Sequence, residues 1–301
     1  MDYETAVQVF FQPPPEGTPP PYPVVHASPA RRLRDACEPL GIHAAWSRRT
    51  NERLASLGLN FLTAYVWGRA ACLGEVPATL VVAAFAAFEP GLITATYEEA
   101  RRHVSRDELL AVRDEATIES LQAALGNVDV TDAVNVLRRG LSTVDGIGRA
   151  LFSGLLSRPW PVNPIGQLWR ACDLVREHRG DSHIAAYITA CLGPVDMNIL
   201  TELYVGMPLC SYTATRGWSA EVIASHVAQL QKKGLIADDA LTPAGLRLRE
   251  EIEEHTDAME QSLIEAIGSD FETLVTHLNE WAQLCIKAGA FPPNIQKRAT
   301  G

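Results

Sequence analysis

Apolar residues recur at helical spacing through most of this chain and almost nowhere alternate, so helices are the expected elements. From Ser28 the punctuation is helical: Ser28 stands as a cap, Pro29 at a first-turn position, and Arg31 to Leu40 follow as a short helix. A second helix is expected to end near Gly58, and Phe61, Tyr65 and Cys72 lie near one face of a third. Pro77 opens a fourth, whose run from Leu80 to Phe88 is apolar nearly all round and marks the centre of a core. Ser105 with Glu108 forms a capping box for a helix burying Leu109, Leu110, Val112 and Leu121, with Gly126 as its stop. Thr131 caps another segment that runs through Leu156.

The stretch Arg158-Pro159-Trp160-Pro161-Val162-Asn163-Pro164 forbids helix and predicts a linker. Beyond it, two helices are expected, Pro164 to Arg179 and Ser182 to Leu192, with Gly180 as a left-handed stop and Asp181 as the second N-cap. A helix from Val195 to Tyr204 leads through a loop to Ser219, which caps a helix carrying Val222, Ile223, Val227 and Leu230. Asp238-Asp239 then turns a short hairpin that pairs Ala240-Leu241 with Leu235-Ile236, and Thr242-Pro243 starts a long helix through Ile267. Ser269 with Glu272 is a second capping box, opening a last helix whose stripe runs from Phe271 to Cys285.

The predicted fold is therefore mainly α, a helical bundle followed by a winged helix-turn-helix with a small β-hairpin wing. The expected divisions are a disordered proline-rich arm over residues 1–25, a helical domain over 26–157, a linker over 158–164 and a winged-helix domain over 165–301.

Composition narrows the function classes. The 301 residues carry 36 acidic against 26 basic side chains, a net charge of −10, which opposes non-specific attraction to phosphate backbones. No uncharged run reaches the roughly 18 residues a spanning helix needs. Six cysteines are spread singly without a C-x-x-C pair or a signal peptide ahead of them, so a reducing cytoplasm is expected. The eight histidines include no H-E-x-x-H spacing, so no metal site is predicted and the residues select no cofactor.

Lys233-Gly234-Leu235-Ile236 followed by Leu241-Thr242-Pro243-Ala244-Gly245 resembles the helix end, wing and following helix of MarR-type regulators. A longer text resembles an actinobacterial family of largely uncharacterised proteins, in which a helical N-terminal domain precedes a degenerate winged helix. It comprises Leu168-Trp169-Arg170-Ala171, the run Arg176 to Ala186, Thr215 to Ser219, Gly68-Arg69-Ala70-Ala71 and Phe88-Glu89-Pro90. That family carries a His-Ala pair followed by aromatic residues and Pro-Glu. Here His43-Ala44-Ala45-Trp46 continues with Ser47-Arg48-Arg49, so the resemblance offers His43 and Trp46 as ligand contacts while the text after them departs.

Two readings of the C-terminal half follow. A DNA reader places basic residues around its recognition helix and wing. Here the first turns offer Ser219, Ala220, Glu221, Val222 and Ser225, the wing offers Asp238 and Asp239, and residues 163–301 carry 11 basic against 18 acidic side chains. DNA is thus the less favoured partner. In His178-Arg179-Gly180-Asp181-Ser182-His183, either the charges serve two helix ends, or Arg179 and the amides of the next helix bind an anion while Asp181 orients His183 as a general acid or base. Arg69, following Tyr65 and Trp67, needs a partner if buried: Glu89 within the chain, or an acidic ligand between the domains. Trp46, Trp67, Trp160, Trp169 and Trp218 are candidates to line such a space. The leading expectation is a small-molecule-binding protein with its pocket between the two domains, or a biosynthetic tailoring enzyme built on it; the alternative is a DNA-binding regulator of MarR-like type. A homodimer through Phe271 to Cys285 is expected by analogy.

Overall fold

The computed structural model describes residues 1–300. It bears out a mainly α fold with one two-stranded hairpin. In chain order the first helices are α1 (Tyr3–Phe10), α2 (Tyr22–Val25), α3 (Pro29–Gly41), α4 (His43–Trp46), α5 (Arg48–Ala55) and α6 (Phe61–Ala70). Then follow α7 (Ala78–Phe85), α8 (Pro90–His103), α9 (Arg106–Leu125), α10 (Thr131–Leu141), α11 (Ala150–Leu156) and α12 (Pro164–Thr189). The C-terminal part has α13 (Pro194–Tyr204), α14 (Ala220–Lys232), β1 (Ile236–Ala237), β2 (Ala240–Leu241), α15 (Pro243–Ala258), α16 (Gln261–Ile267), α17 (Phe271–Lys287) and α18 (Ile295–Ala299). Among the described residues no single helix is long and apolar enough to cross a membrane.

Within residues 1–25, where a disordered arm was expected, the short helices α1 and α2 pack on the remainder of the chain. Asp2 caps α1 by accepting from the Thr5 amide at 2.8 Å, and Tyr3 donates its hydroxyl to the Trp46 carbonyl at 2.7 Å. Phe10, Phe11 and Phe61 then pack around the Trp46 ring, while Tyr22 packs on Tyr204. The prolines were read for what they forbid; the aromatic residues beside them supply the buried area that holds the arm down.

Helix α12 is the second departure, because it runs unbroken through Gly180. A glycine inside a helix costs only about 1 kcal/mol, and that cost is outweighed here by anchoring on both sides. Glu177, His178, Arg179, Asp181 and Ser182 are all buried and all bonded to other elements or to one another.

Two apolar cores share α12. Residues from Leu33 to Val175 form the larger, joined by Leu263, Ile267, Phe271, Leu274, Leu278 and Cys285 from α16 and α17. The smaller gathers Tyr187, Val195, Ile199, Leu200, Ile223, Leu230, Ile236 and Ile252. The cores therefore do not separate at 158–164: the winged unit is bounded by α12 and α15, and the last long helix returns to the helical body. The Phe271 to Cys285 stripe, expected to serve a dimer, is spent within the chain. The second capping box also fails to form, Glu272 being turned to Arg32 at 2.6 and 2.8 Å.

In the winged unit Asp238 and Asp239 both adopt positive φ, +48° and +58°, which is the backbone of a two-residue type I′ hairpin. The register is Ile236 to Leu241 and Ala237 to Ala240, one residue further along than the pairing expected from the sequence.

Candidate functional site

Helix α12 carries the residues singled out for chemistry, and its continuity separates them. Two positions apart on a helix point about 200° away from each other. Asp181 accepts from the Phe152 amide at 3.0 Å, whereas His183 places Nδ1 3.2 Å from Thr256 Oγ1. No Asp181–His183 dyad exists, and without a helix break there is no new N-terminus whose amides would hold an anion. Burial, followed by repulsion from Glu177, raises Asp181 to about 6; burial, reinforced by Arg249, pushes His183 down to about 3 and leaves it neutral. Arg179 donates to Glu253 at 2.6 Å and Asp257 at 2.8 Å, so it braces α12 against α15. Arg31 of α3 and Arg249 of α15 converge on the same Glu253.

Tyr65 and Arg69 do come together. Arg69 grips Glu177 through two bonds of 2.7 Å, in place of the expected Glu89, which instead caps α8 through the Gly91 and Leu92 amides. Attraction to Glu177 overcomes burial and holds the Arg69 guanidinium well above its ordinary range, while Arg176 and Arg69 together hold Glu177 down at about 2 despite burial. Tyr65 and Arg69 line an inner cavity of about 50 Å³ with Arg113, Trp169, Asp173 and Arg176. That volume holds a few waters, well below the ~300 Å³ at which small-molecule pockets begin.

The remaining candidates lie elsewhere. His43 is fully buried, with Nε2 2.9 Å from Ser120 Oγ and Nδ1 without a partner, and burial lowers it to about 3. Trp46 is the anchor of the N-terminal arm. Trp218 donates Nε1 to the Ala87 carbonyl at 3.0 Å, and Asn198 of α13 donates to the same oxygen at 2.8 Å. Glu89 donates its amide to the Arg216 carbonyl at 2.9 Å, and the Arg216 guanidinium covers the Phe88 ring. Phe85 and Phe88 pack on Tyr65 from the other side. The space expected between Tyr65, Arg69 and Trp218 is therefore filled by residues 85–89, with Ala86 held at a φ of +44° to make the turn.

A second, outer pocket of about 370 Å³ opens on the far side of the Arg113–Asp114 pair. Arg106, Asp107, Leu110 and Asp114 of α9 face Arg158 and Pro159 across it. Asp114 accepts from Arg113 at 3.0 and 2.8 Å and from Arg158 at 2.7 Å, and Arg170 Nη2 lies 3.7 Å away. One carboxylate thus serves three guanidiniums. Sequence reading missed this site because its arginines stand at positions 106, 113, 158 and 170, without a local pattern, and Arg158 was read only as the start of a linker.

The helix-turn-helix face is formed by α13, the loop through Gly217 and α14, tied together by His226 Nδ1 against Asp196 Oδ1 at 2.7 Å. The surface of α14 exposes Glu221, Val222, Ser225, Gln229 and Lys232, and the wing tip exposes Asp238 and Asp239. By its α13–α14–hairpin–α15 order the protein is a winged helix-turn-helix protein with a large helical body. The sequence comparison agrees and reaches further than that unit: a model described as a helix-turn-helix family matches residues 30–292, and the chain belongs to that family. No curated protein and no solved structure matches the chain.

Proposed function

We propose that this member of the helix-turn-helix family binds a small molecule in its helical body and uses the winged unit as a packed partner of that body rather than as a reader of duplex DNA. The observation that carries the reading is the placement of charge. The surface that would meet a duplex presents Glu221 at the start of α14 and Asp238 and Asp239 at the wing, with Lys232 and Lys233 only at the far end of the helix. Inside the helical body, by contrast, Arg113, Arg158 and Arg170 share the Asp114 carboxylate beside the outer pocket. That pocket has the volume of a small-molecule site, and it replaces the interdomain space as the candidate. No reaction is assigned, since His183 and Asp181 bond to different elements on opposite sides of α12.

The alternative, a DNA-binding regulator, is favoured by the family match and by Ser225 and Gln229, which α14 exposes beside its lysines. Native mass spectrometry of protein purified from its own host separates the two. The binding reading expects a stoichiometric small-molecule adduct that is lost on denaturation; an adduct-free protein that carries duplex fragments of one sequence would overturn it.

A further inference from the structure

The outer pocket has an imbalance of charge that the chain itself does not correct. Asp107 is 92% exposed and pairs with Arg106 at 3.2 Å, so those two cancel at the rim. Beneath them Arg113, Arg158 and Arg170 have Asp114 as their one carboxylate within 4 Å among the described residues, three guanidiniums on a single anion, with Asp173 acting on Arg113 and Arg170 from further off. Asp173, the next carboxylate along α12, is engaged by Arg176 at 2.9 Å. Arg170 is only 1% exposed, and its Nε and Nη2 have no hydrogen-bond partner; the Nη1 of Arg158 has none either. The remaining donor of Arg170 reaches the Leu155 and Pro159 carbonyls at 3.5 and 3.4 Å, so the guanidinium lies between Pro159 and Asp114, two walls of the pocket. Stranded cationic donors of this kind are costly in a folded chain. Arg170 stands apart in its distance from a carboxylate: Arg113 and Arg158 lie 2.8 and 2.7 Å from Asp114, and Arg69, Arg176 and Arg179 lie 2.5 to 2.7 Å from theirs, whereas Arg170 stays 3.7 Å from Asp114.

We propose that this pocket is a binding site for a doubly charged oxyanion of the phosphate type, held by Arg106 and Arg158 at the mouth with the unpartnered donors of Arg170 behind them. The inference rests on the small-molecule reading and names the chemical class of the ligand. A dianion suits a cluster in which three guanidiniums share one bonded carboxylate, and a tetrahedral oxyanion accepts from several N–H donors at once, as the forked guanidinium geometry requires. Burial, followed by the neighbouring guanidiniums, pulls Arg170 down to about 10 and lowers Arg158, the direction expected where positive charge is crowded. A bound dianion would reverse that crowding.

The test is a titration of the intact protein with inorganic phosphate at fixed ionic strength, with chloride as the balancing salt, read as the thermal midpoint and by calorimetry. Phosphate should raise the midpoint saturably where chloride does not, and Arg158→Gln should weaken phosphate binding at least tenfold. Arg106→Gln, at the exposed rim, carries the same direction of effect should the first variant fail to fold. Equal responses to phosphate and chloride, or wild-type phosphate affinity in the variants, would overturn the assignment. The two levels fail separately. An uncharged adduct in host-purified protein with phosphate inert removes the anion and keeps the binding reading; selective duplex binding with phosphate affinity intact removes the reading and keeps the anion site.

Discussion

Replacing Glu253 by alanine is expected to lower stability by about 3–5 kcal/mol at neutral pH, the scale for stripping one partner from a buried ion cluster. Glu253 is buried on α15 and accepts from Arg179 of α12 at 2.6 Å and Arg249 of its own helix at 2.5 Å, with Arg31 of α3 at 3.5 Å. Three guanidiniums from three helices would lose their common anion, and Asp257 and Asp35 could serve only Arg179 and Arg31. Burial alone would raise the Glu253 carboxyl, but the arginines, Arg249 foremost, hold it well below the ordinary carboxylate range. A depressed folded pKa contributes stability that is present above the unfolded value, near 4.3, and is withdrawn as the pH falls through the folded one. The deficit of the variant should therefore be full at pH 7 and shrink under strongly acidic conditions. Urea denaturation at several pH values checks this, and a midpoint at pH 7 equal to that of the wild type would refute the role given to the cluster.

Gly245→Ala should be nearly as damaging, for a different reason. A Cβ at this position would stand 2.0 Å from the Leu235 carbonyl oxygen and 2.9 Å from its carbon, both backbone atoms in the turn of chain before the wing. That oxygen also accepts from the Thr242 amide at 3.0 Å, so it has no freedom to retreat. The methyl group must push the start of α15 away from the wing, at a cost of about 3 kcal/mol or more. The loss should be local: hydrogen exchange at Ile236 and Leu241 should accelerate before that of the helical body. Gly234→Ala is the control, since only its φ of +69° opposes a side chain and nothing lies within 4 Å. Unchanged exchange in Gly245→Ala would contradict the packing described.

The glycine of the L-T-x-x-G pattern shows how far the sequence was legible. It stood out only through the resemblance to MarR-type regulators, and the structure supplies the reason, a backbone approach that leaves no room for a Cβ; the caps of α3, α9 and α14 were readable directly, because a cap is fixed by local geometry. Gly180 was misread because its surroundings decide: five buried polar neighbours hold α12 straight, and their partners on α11, α15 and beyond are remote in sequence. The Arg69 partner was missed likewise, Glu177 being 108 residues away while Glu89 was near. Tyr65 and Arg69 line the small inner cavity, whereas the interdomain space expected between them and Trp218 contains the chain's own Phe85 to Glu89. Aromatic residues flanking prolines hold the arm down, a reminder that composition alone does not measure buried area.

Whether the winged unit reads DNA is decided by duplex affinity as a function of salt, with the 301-residue protein titrated into labelled DNA from the region flanking its own coding sequence. Association should be weak and without sequence preference, disappearing between about 50 and 200 mM salt, because the exposed face of α14 and the wing neutralises few phosphates. Tight, sequence-selective binding that persists at 150 mM salt and is lost on changing Ser225 or Gln229 would contradict it.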